Sequence, residues 1–435
     1  MLNWFWSIAV IDGPLPYTIW ALTAAGAVVL LVRRWTARWT LRLLIAVLLG
    51  AILGVGAVLF LDVTNLLGTK TPGPTAWWAA GSFAILGIGI VSLWDSALWR
   101  RIVAIVVIVL SLLSAALGIN AGFGIDRTIG NMFGVSALDS IGDLNGPTAS
   151  PTATGPLYAS WNPPADMPKT GKVGLLSGAN AIPSSAGFVP REASLYLPPA
   201  AQVSNAPPLP LVVMMMGQPG NPDPSFIAAA LDEFAAQNKG LAPIVIVADQ
   251  LGDANQDPVC ANSDRYGGVA TYFNVDIPAY AKAKLNILHD PKYWTLAGYS
   301  NGGACSFTWG AQHPELWGNL VSISGDEYPG AEIRDQVIRD VYHGDAAAFD
   351  ANTPASWLAK NAGAFRGHIA VFTGGEKDAG FLPAAQKNAQ LAQGAGFTTT
   401  LYVVPGAGHL GDAVRGGLTA AFQVLYPALG LSPPS

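Results

Sequence analysis

The sequence predicts an α/β protein in two parts: four transmembrane helices at the amino-terminal end, then a larger domain on a mostly parallel central sheet. Three features of its 435 residues carry this expectation. The first third holds four uncharged apolar runs, the stretch after them is rich in Pro, Thr and Gly, and the remainder alternates short apolar runs with helix-compatible segments. Composition agrees. Charged residues make up 12% of the chain, against about 25% in ordinary soluble domains. Hydrophobic residues reach 51%, with a mean hydropathy of +0.37. This length also calls for more than one folding unit.

The apolar runs cover about 15–32, 43–61, 75–94 and 102–121, inside a region 1–135. Roughly 20 helical residues cross a hydrocarbon core, and a helix satisfies its own backbone polar groups there. The segment before the first run carries no Lys or Arg, which disfavours a cleaved signal peptide. Arg33, Arg34, Arg38 and Arg42 follow the first run, and Arg100 and Arg101 precede the fourth. Both short basic loops are expected on the cytoplasmic side of the cytoplasmic membrane, leaving everything after the fourth helix extracytoplasmic. No Asp, Glu, Lys, Arg or His lies inside a run, so an ion pathway is disfavoured and the bundle reads as an anchor in the lipid bilayer. Gly50 and Gly54 form a G-x-x-x-G pair, and Gly81 and Gly87 are expected to allow close helix approach in the same way.

Residues 136–170, with GPTASPTATGP at 146–156, read as a tether. In the remaining 171–435, apolar runs at 193–197, 209–216, 243–248, 293–297, 320–324, 368–373 and 398–404 read as strands. Segments 225–237, 277–288, 303–313 and 382–393 read as helices between them. That alternation predicts helices on both faces of the sheet.

The sharpest chemical signal is Gly298-Tyr299-Ser300-Asn301-Gly302-Gly303, set between an apolar run and a helical stretch. A serine at such a turn sits in a strained backbone conformation, with small neighbours where a Cβ would clash, and its hydroxyl stands at the carboxyl edge of the sheet. A serine hydroxyl is a weak nucleophile at neutral pH, so an imidazole must take its proton and a carboxylate must hold the imidazole. His409, after the run 398–404, is the expected base, and Asp378, after the run 368–373, the expected acid. Glu376, two residues away, and Asp326, after the preceding run, stand as alternative acids. His289, His313, His343 and His368 fit solvated or capping positions better.

Acyl transfer also needs donors for the developing oxyanion. The backbone N–H of Asn301 is one candidate, and the loop Gly217-Gln218-Pro219-Gly220 supplies Gln218 as the second, since proline has no N–H. Cys260, in a loop, and Cys305, in the helix behind Ser300, are expected to form a bridge, the alternative being two free thiols. Asp276 reads as a helix cap before Pro278. With 28 acidic and 23 basic residues the chain has no positive excess for nucleic acid. No nucleotide loop or clustered metal-ligand set occurs, so neither cofactor nor metal is expected.

Several segments together, VPREASLYLPPA at 189–200, TYFNVDIPAY at 271–280, LAGYSNGGACSF at 296–307 and HPELWGNLVSISGD at 313–326, resemble the esterase branch of the α/β-hydrolases. That branch includes esterase D and the antigen 85 mycolyltransferases, and the likeness is greatest to membrane-anchored actinobacterial esterases. The resemblance implies an ester-cleaving or acyl-transferring enzyme with Ser300, Asp378 and His409 at the triad positions and Gln218 and Asn301 at the oxyanion positions. Many relatives carry Met where this chain has Asn301, and a His-Gly type sequence where it has GQPG. The expected activity is therefore a membrane-held serine esterase acting on envelope lipids or small acyl or aminoacyl esters. An acyltransferase and a catalytically silent hydrolase-fold binding protein are the alternatives. No obligate protein partner is implied.

Overall fold

The computed structural model describes residues 3–64, 71, 73–124, 126–144, 146, 155–254 and 256–434. The chain divides into two compact units, Met1–Ala137 and Leu138–Ser435.

The first unit holds α1 (Pro14–Leu31), α2 (Ala37–Thr64), α3 (Gly73–Val91) and α4 (Leu98–Phe123), four helices long and apolar enough to cross a membrane. α2 packs on α3, α3 on α4, and α1 on α4. Gly50, Gly54 and Gly87 make the α2–α3 contact possible: a Cβ on any of them would collide with a carbonyl of the facing helix, at Phe83, Ala79 and Ala46 respectively. Gly81 does not share this role, because it faces open space and a side chain there would meet nothing within 4 Å. Some buried hydroxyls in this unit are satisfied, as where Thr23 Oγ1 bonds Ile19 O at 2.7 Å and Ser114 Oγ at 2.8 Å, whereas Thr75 Oγ1 and Ser92 Oγ have no hydrogen-bond partner among the described residues. Arg100 donates to Val32 O at 2.6 Å and to Leu30 O at 3.4 Å, satisfying carbonyls that the end of α1 leaves without a helical partner.

The second unit is an eight-stranded sheet of β1 (Lys172–Leu175), β2 (Ser194–Leu197), β3 (Leu211–Met215), β4 (Ile244–Val247), β5 (Trp294–Tyr299), β6 (Asn319–Ile323), β7 (Ile369–Gly375) and β8 (Thr398–Val404). Their order is β1-β2-β4-β3-β5-β6-β7-β8. β1 and β2 run antiparallel to their neighbours, and β3 to β8 pair in parallel. Between strands lie α5 (Ser225–Gln237), α6 (Ile277–Lys284), α7 (Asn301–Gln312), α8 (Arg334–Asp340), α9 (Ala346–Ala351), α10 (Pro354–Lys360) and α11 (Leu382–Ala395), with α12 (Gly411–Ala428) closing the chain. Successive strand residues divide between two clusters, as the two-residue period of a strand requires. Val321, Ile323 and Val371 pack with Leu231, Val414 and Leu418, whereas Leu320, Ala370 and Phe372 pack with Phe307, Ala389 and Ala392.

All seven expected strands are present. β1 is an eighth that the sequence did not reveal, because its four residues carry Gly174 in the middle and too short an alternation to register. The helix expected to reach 288 stops at Lys284, since the Leu288 N–H is taken by Leu209 O at 2.8 Å. Asp276 is not a cap either. The helical backbone runs through it, and its carboxylate accepts from Ser185 N–H at 2.9 Å and Ser185 Oγ at 2.8 Å.

Of the stretch 136–170, residues 145 and 147–154 lie outside the described residues. The flanking Ile141, Leu157 and Trp161 are buried in the core of the second unit, and Trp161 Nε1 donates to Lys239 O at 3.0 Å.

Candidate active site

The parallel strands deliver their carboxyl ends, and the loops that follow, to one edge of the sheet. Ser300 stands between β5 and α7 with φ 54° and ψ −120°, a conformation that costs a non-glycine residue about 1–3 kcal/mol and must be held by its surroundings. The restraint is visible. Ser300 N–H donates to Ile323 O on β6 at 2.8 Å, and a Cβ on Gly298 would collide with the Gly302 carbonyl. Gly302 in turn packs on Met215, where a Cβ would come within 2.6 Å of the methionine's own. Only small residues let the turn close this tightly.

Ser300 Oγ lies 2.9 Å from His409 Nε2, and His409 Nδ1 lies 2.8 Å from Asp378 Oδ2. The three residues are 8%, 8% and 4% exposed, in the order Ser300, His409, Asp378. With Nδ1–H donating to the carboxylate, the lone pair on Nε2 faces the hydroxyl. The acid and base loops are joined directly: Lys377 N–H donates to Ala407 O at 2.8 Å and Glu376 N–H to Val404 O at 3.0 Å. Glu376 does not approach the imidazole; its carboxylate accepts from Gly406 N–H at 2.7 Å. Asp326 has its carboxyl pushed up to about 8, first by burial and then by the nearby Glu332, Asp257 and Asp378 charges.

Neither Tyr299 nor Phe381 was singled out from the sequence, yet both hold His409. Tyr299 Oη donates to His409 O at 2.7 Å, and the Phe381 ring stacks on the imidazole at 3.8 Å between centroids. Phe381 N–H also donates to Asp378 Oδ1 at 3.2 Å. The other histidines are engaged elsewhere or lie in loops: His313 Nδ1 is 3.0 Å from Glu315, His368 Nε2 is 2.9 Å from Pro314 O and His343 is 3.6 Å from Asp264, while His289 sits half-buried in a loop.

The Gly217 loop passes beside Ser300, close enough that a Cβ on Gly217 would stand 3.2 Å from Ser300 Cβ. Gln218 follows, joined to Pro219 by a cis peptide bond. Asn301 opens α7, so its backbone N–H is one that the helix itself leaves unpaired. Its side chain turns away into a polar network, donating to Asp257 Oδ1 at 2.9 Å and accepting from Gln250 Nε2 at 3.1 Å. Burial raises the Asp257 carboxyl above the ordinary carboxylate range, against the lowering effect of the Val259 N–H and Asn301 amide bonds. Cys260 and Cys305 form a disulfide with Cα atoms 5.3 Å apart, tying the loop that carries Asp257 to α7. Val259 and Ala261 of that loop pack on Val337 and Val341 of the helical segment around α8 and on Phe349 of α9.

The family described as Putative esterase matches residues 189–396. An uncharacterized protein of Corynebacterium glutamicum is 32% identical over 295 residues, covering 65% of this chain and 69% of that one. Among solved structures, an S-formylglutathione hydrolase from Agrobacterium tumefaciens is 15% identical and covers 61% of this chain and 98% of its own, with a TM-score of 0.48. A CE1 ferulic acid esterase from Anaeromyces mucronatus is 14% identical, covering 65% and 99%, with a TM-score of 0.44. By its family match and its relative, the chain belongs to the Putative esterase family and is an esterase.

Proposed function

We propose that Ser300 is the nucleophile, His409 the general base and Asp378 the residue that orients it, in a membrane-anchored enzyme cleaving carboxylic esters through an acyl-serine intermediate. The observation that carries this is the unbroken run of hydrogen bonds from Ser300 Oγ through His409 to Asp378, buried at the carboxyl edge of the sheet. Ser300 Oγ attacks the substrate carbonyl as its proton passes to His409 Nε2. The backbone N–H groups of Gln218 and Asn301 receive the oxyanion, where one donor is worth about 3 kcal/mol of transition-state stabilisation. The imidazolium then protonates the leaving alcohol, and the neutral ring activates water to release the acid.

In this reading residues 1–135 anchor the chain, and the basic residues flanking the turns between α1 and α2 and between α3 and α4, such as Arg38 and Arg100, face the cytoplasm, which puts the catalytic domain outside. Envelope lipids and small acyl or aminoacyl esters are the substrates available there. Labelling membranes with a fluorophosphonate tests the nucleophile: wild type is modified at Ser300, and an unlabelled Ser300 beside a labelled control hydrolase overturns the assignment. A product assay with and without a sugar or lipid acceptor tests the second step. Free acid in both conditions is expected. Acyl product on the acceptor in excess of free acid makes the enzyme an acyltransferase instead.

A further inference from the structure

The carboxyl end of β4 carries two buried polar side chains that the triad does not use, Asp249 and Gln250, 1% and 3% exposed. Asp249 holds Arg191 in a two-point ion pair, Nε to Oδ2 at 3.0 Å and Nη2 to Oδ1 at 2.6 Å, and also accepts the Arg191 N–H at 2.8 Å. The same guanidinium turns Nη1 to Gly220 O at 2.8 Å and to Asn221 Oδ1 at 2.6 Å. Gln250 Nε2 donates to Met216 O at 2.6 Å and to Asn301 Oδ1 at 3.1 Å. The loop 217–219 is thus gripped on its amino side by Gln250 and on its carboxyl side by Arg191, and Gln250 also grips the residue that follows the nucleophile.

We infer that Asp249, Gln250 and Arg191 are positioning residues that set the separation between the two oxyanion donors, the backbone N–H groups of Gln218 and Asn301. This rests on the oxyanion assignment proposed above. The two donors come from different strands, β3 and β5, and a loop containing Gly217 and Gly220 does not stiffen itself. Donors act only when about 2.7–3.1 Å from the developing charge, so an error of about 1 Å in one of them costs up to about 100-fold in rate. None of the three side chains needs to touch substrate for this, so the loss falls on the transition state and spares ground-state binding.

The test uses the full chain in detergent. Gln250→Met keeps the side-chain length and removes both donors, and Arg191→Lys replaces the planar fork with a single ammonium. Each variant is expected to lower kcat about 10- to 100-fold with KM within about two-fold. Affinity for a trifluoromethyl ketone, which forms a tetrahedral adduct on Ser300, should fall in parallel with kcat/KM, while a non-reacting ether analogue keeps its affinity. Wild-type kcat with wild-type ketone affinity in Gln250→Met overturns the inference, as does an equal loss for ketone and ether. Asp249→Asn, which removes the charge that holds Arg191, is expected to behave as Arg191→Lys does; if it fails to fold, the other two variants carry the result. The underlying assignment has a separate control: turnover surviving in Ser300→Ala sinks the nucleophile, whereas a dead Ser300→Ala beside a normal Gln250→Met sinks the positioning role alone.

Discussion

The two units treat polar groups in opposite ways. In the helical unit, the buried polar side chains among the described residues are the hydroxyls of Thr23, Thr75, Ser82, Ser92, Ser111 and Ser114, while charges such as Arg42 and Asp95, 2.8 Å apart, stay exposed at the helix ends. In the catalytic unit, charged groups go inside, as Asp249 with Arg191 and Asp378 with His409, and collect where the parallel strands end. A helix meets its own backbone needs and leaves nothing over to solvate a buried charge, so hydroxyls are what it can host cheaply. A parallel sheet ends in loops whose free N–H and C=O groups can surround a carboxylate or a guanidinium. Chemistry is possible in the second setting because the partners are fixed before substrate arrives.

The contrast can be broken most severely at the triad. Ser300→Ala is expected to lower ester hydrolysis by at least about 10³-fold, and Asp378→Asn by about 10²- to 10⁴-fold through loss of the working tautomer, both read as kcat/KM on a short-chain ester. Retained activity in either variant would move the chemistry elsewhere. Next in size is the disulfide. Cys260 and Cys305 are 45 residues apart, and on the loop-entropy model opening that loop costs about 4 kcal/mol; the paired Cys→Ser variant should show it as a lowered urea midpoint of the catalytic unit. In the helical unit, Gly54→Leu forces the Ala79 backbone away and should cost about 1–3 kcal/mol in detergent unfolding. Ester hydrolysis within two-fold of wild type would then keep the two units energetically separate, and a parallel loss would join them.

A pH profile sharpens the electrostatic side. Asp326 keeps its proton to about pH 8 when folded, against an ordinary value of 3.8. The folded state therefore binds more protons than the unfolded one between these values, and stability falls as pH rises across that window. Asp326→Asn should flatten that slope, leaving stability unchanged at low pH and raised above pH 8. Identical pH profiles for the two proteins would place the proton elsewhere.

That Ser300, Asp378 and His409 would meet was legible because each member of the proposed triad follows its own strand closely: Ser300 follows β5, Asp378 comes soon after β7 and His409 after β8. Hydrophobic period and local turn chemistry suffice to find such positions. The two cysteines could be paired because there were only two. Arg191 and Gln250 were invisible for the converse reason. Their partners Asp249, Gly220, Met216 and Asn301 lie 58, 29, 34 and 51 residues away, and they meet only once β2, β3, β4 and β5 have taken their places in the sheet. One signal did point to Gln250 and its neighbour Asp249, a pair of polar residues directly after the apolar run 243–248, at the strand end where parallel sheets gather function. Tyr299 sat inside the serine motif, but a sequence gives no direction to its hydroxyl.

The bonds between the Glu376–Lys377 backbone and Val404 and Ala407 lace the last two strands together beyond the sheet, with β8 forming the outer margin. The same laced loops are also tied inward, because Tyr299 Oη, one residue before Ser300 at the end of β5, donates to His409 O at 2.7 Å. Hydroxyl, imidazole and carboxylate therefore share one frame that reaches from β5 to the margin, and a sideways push on that margin is passed to all three rather than taken up in a single gap.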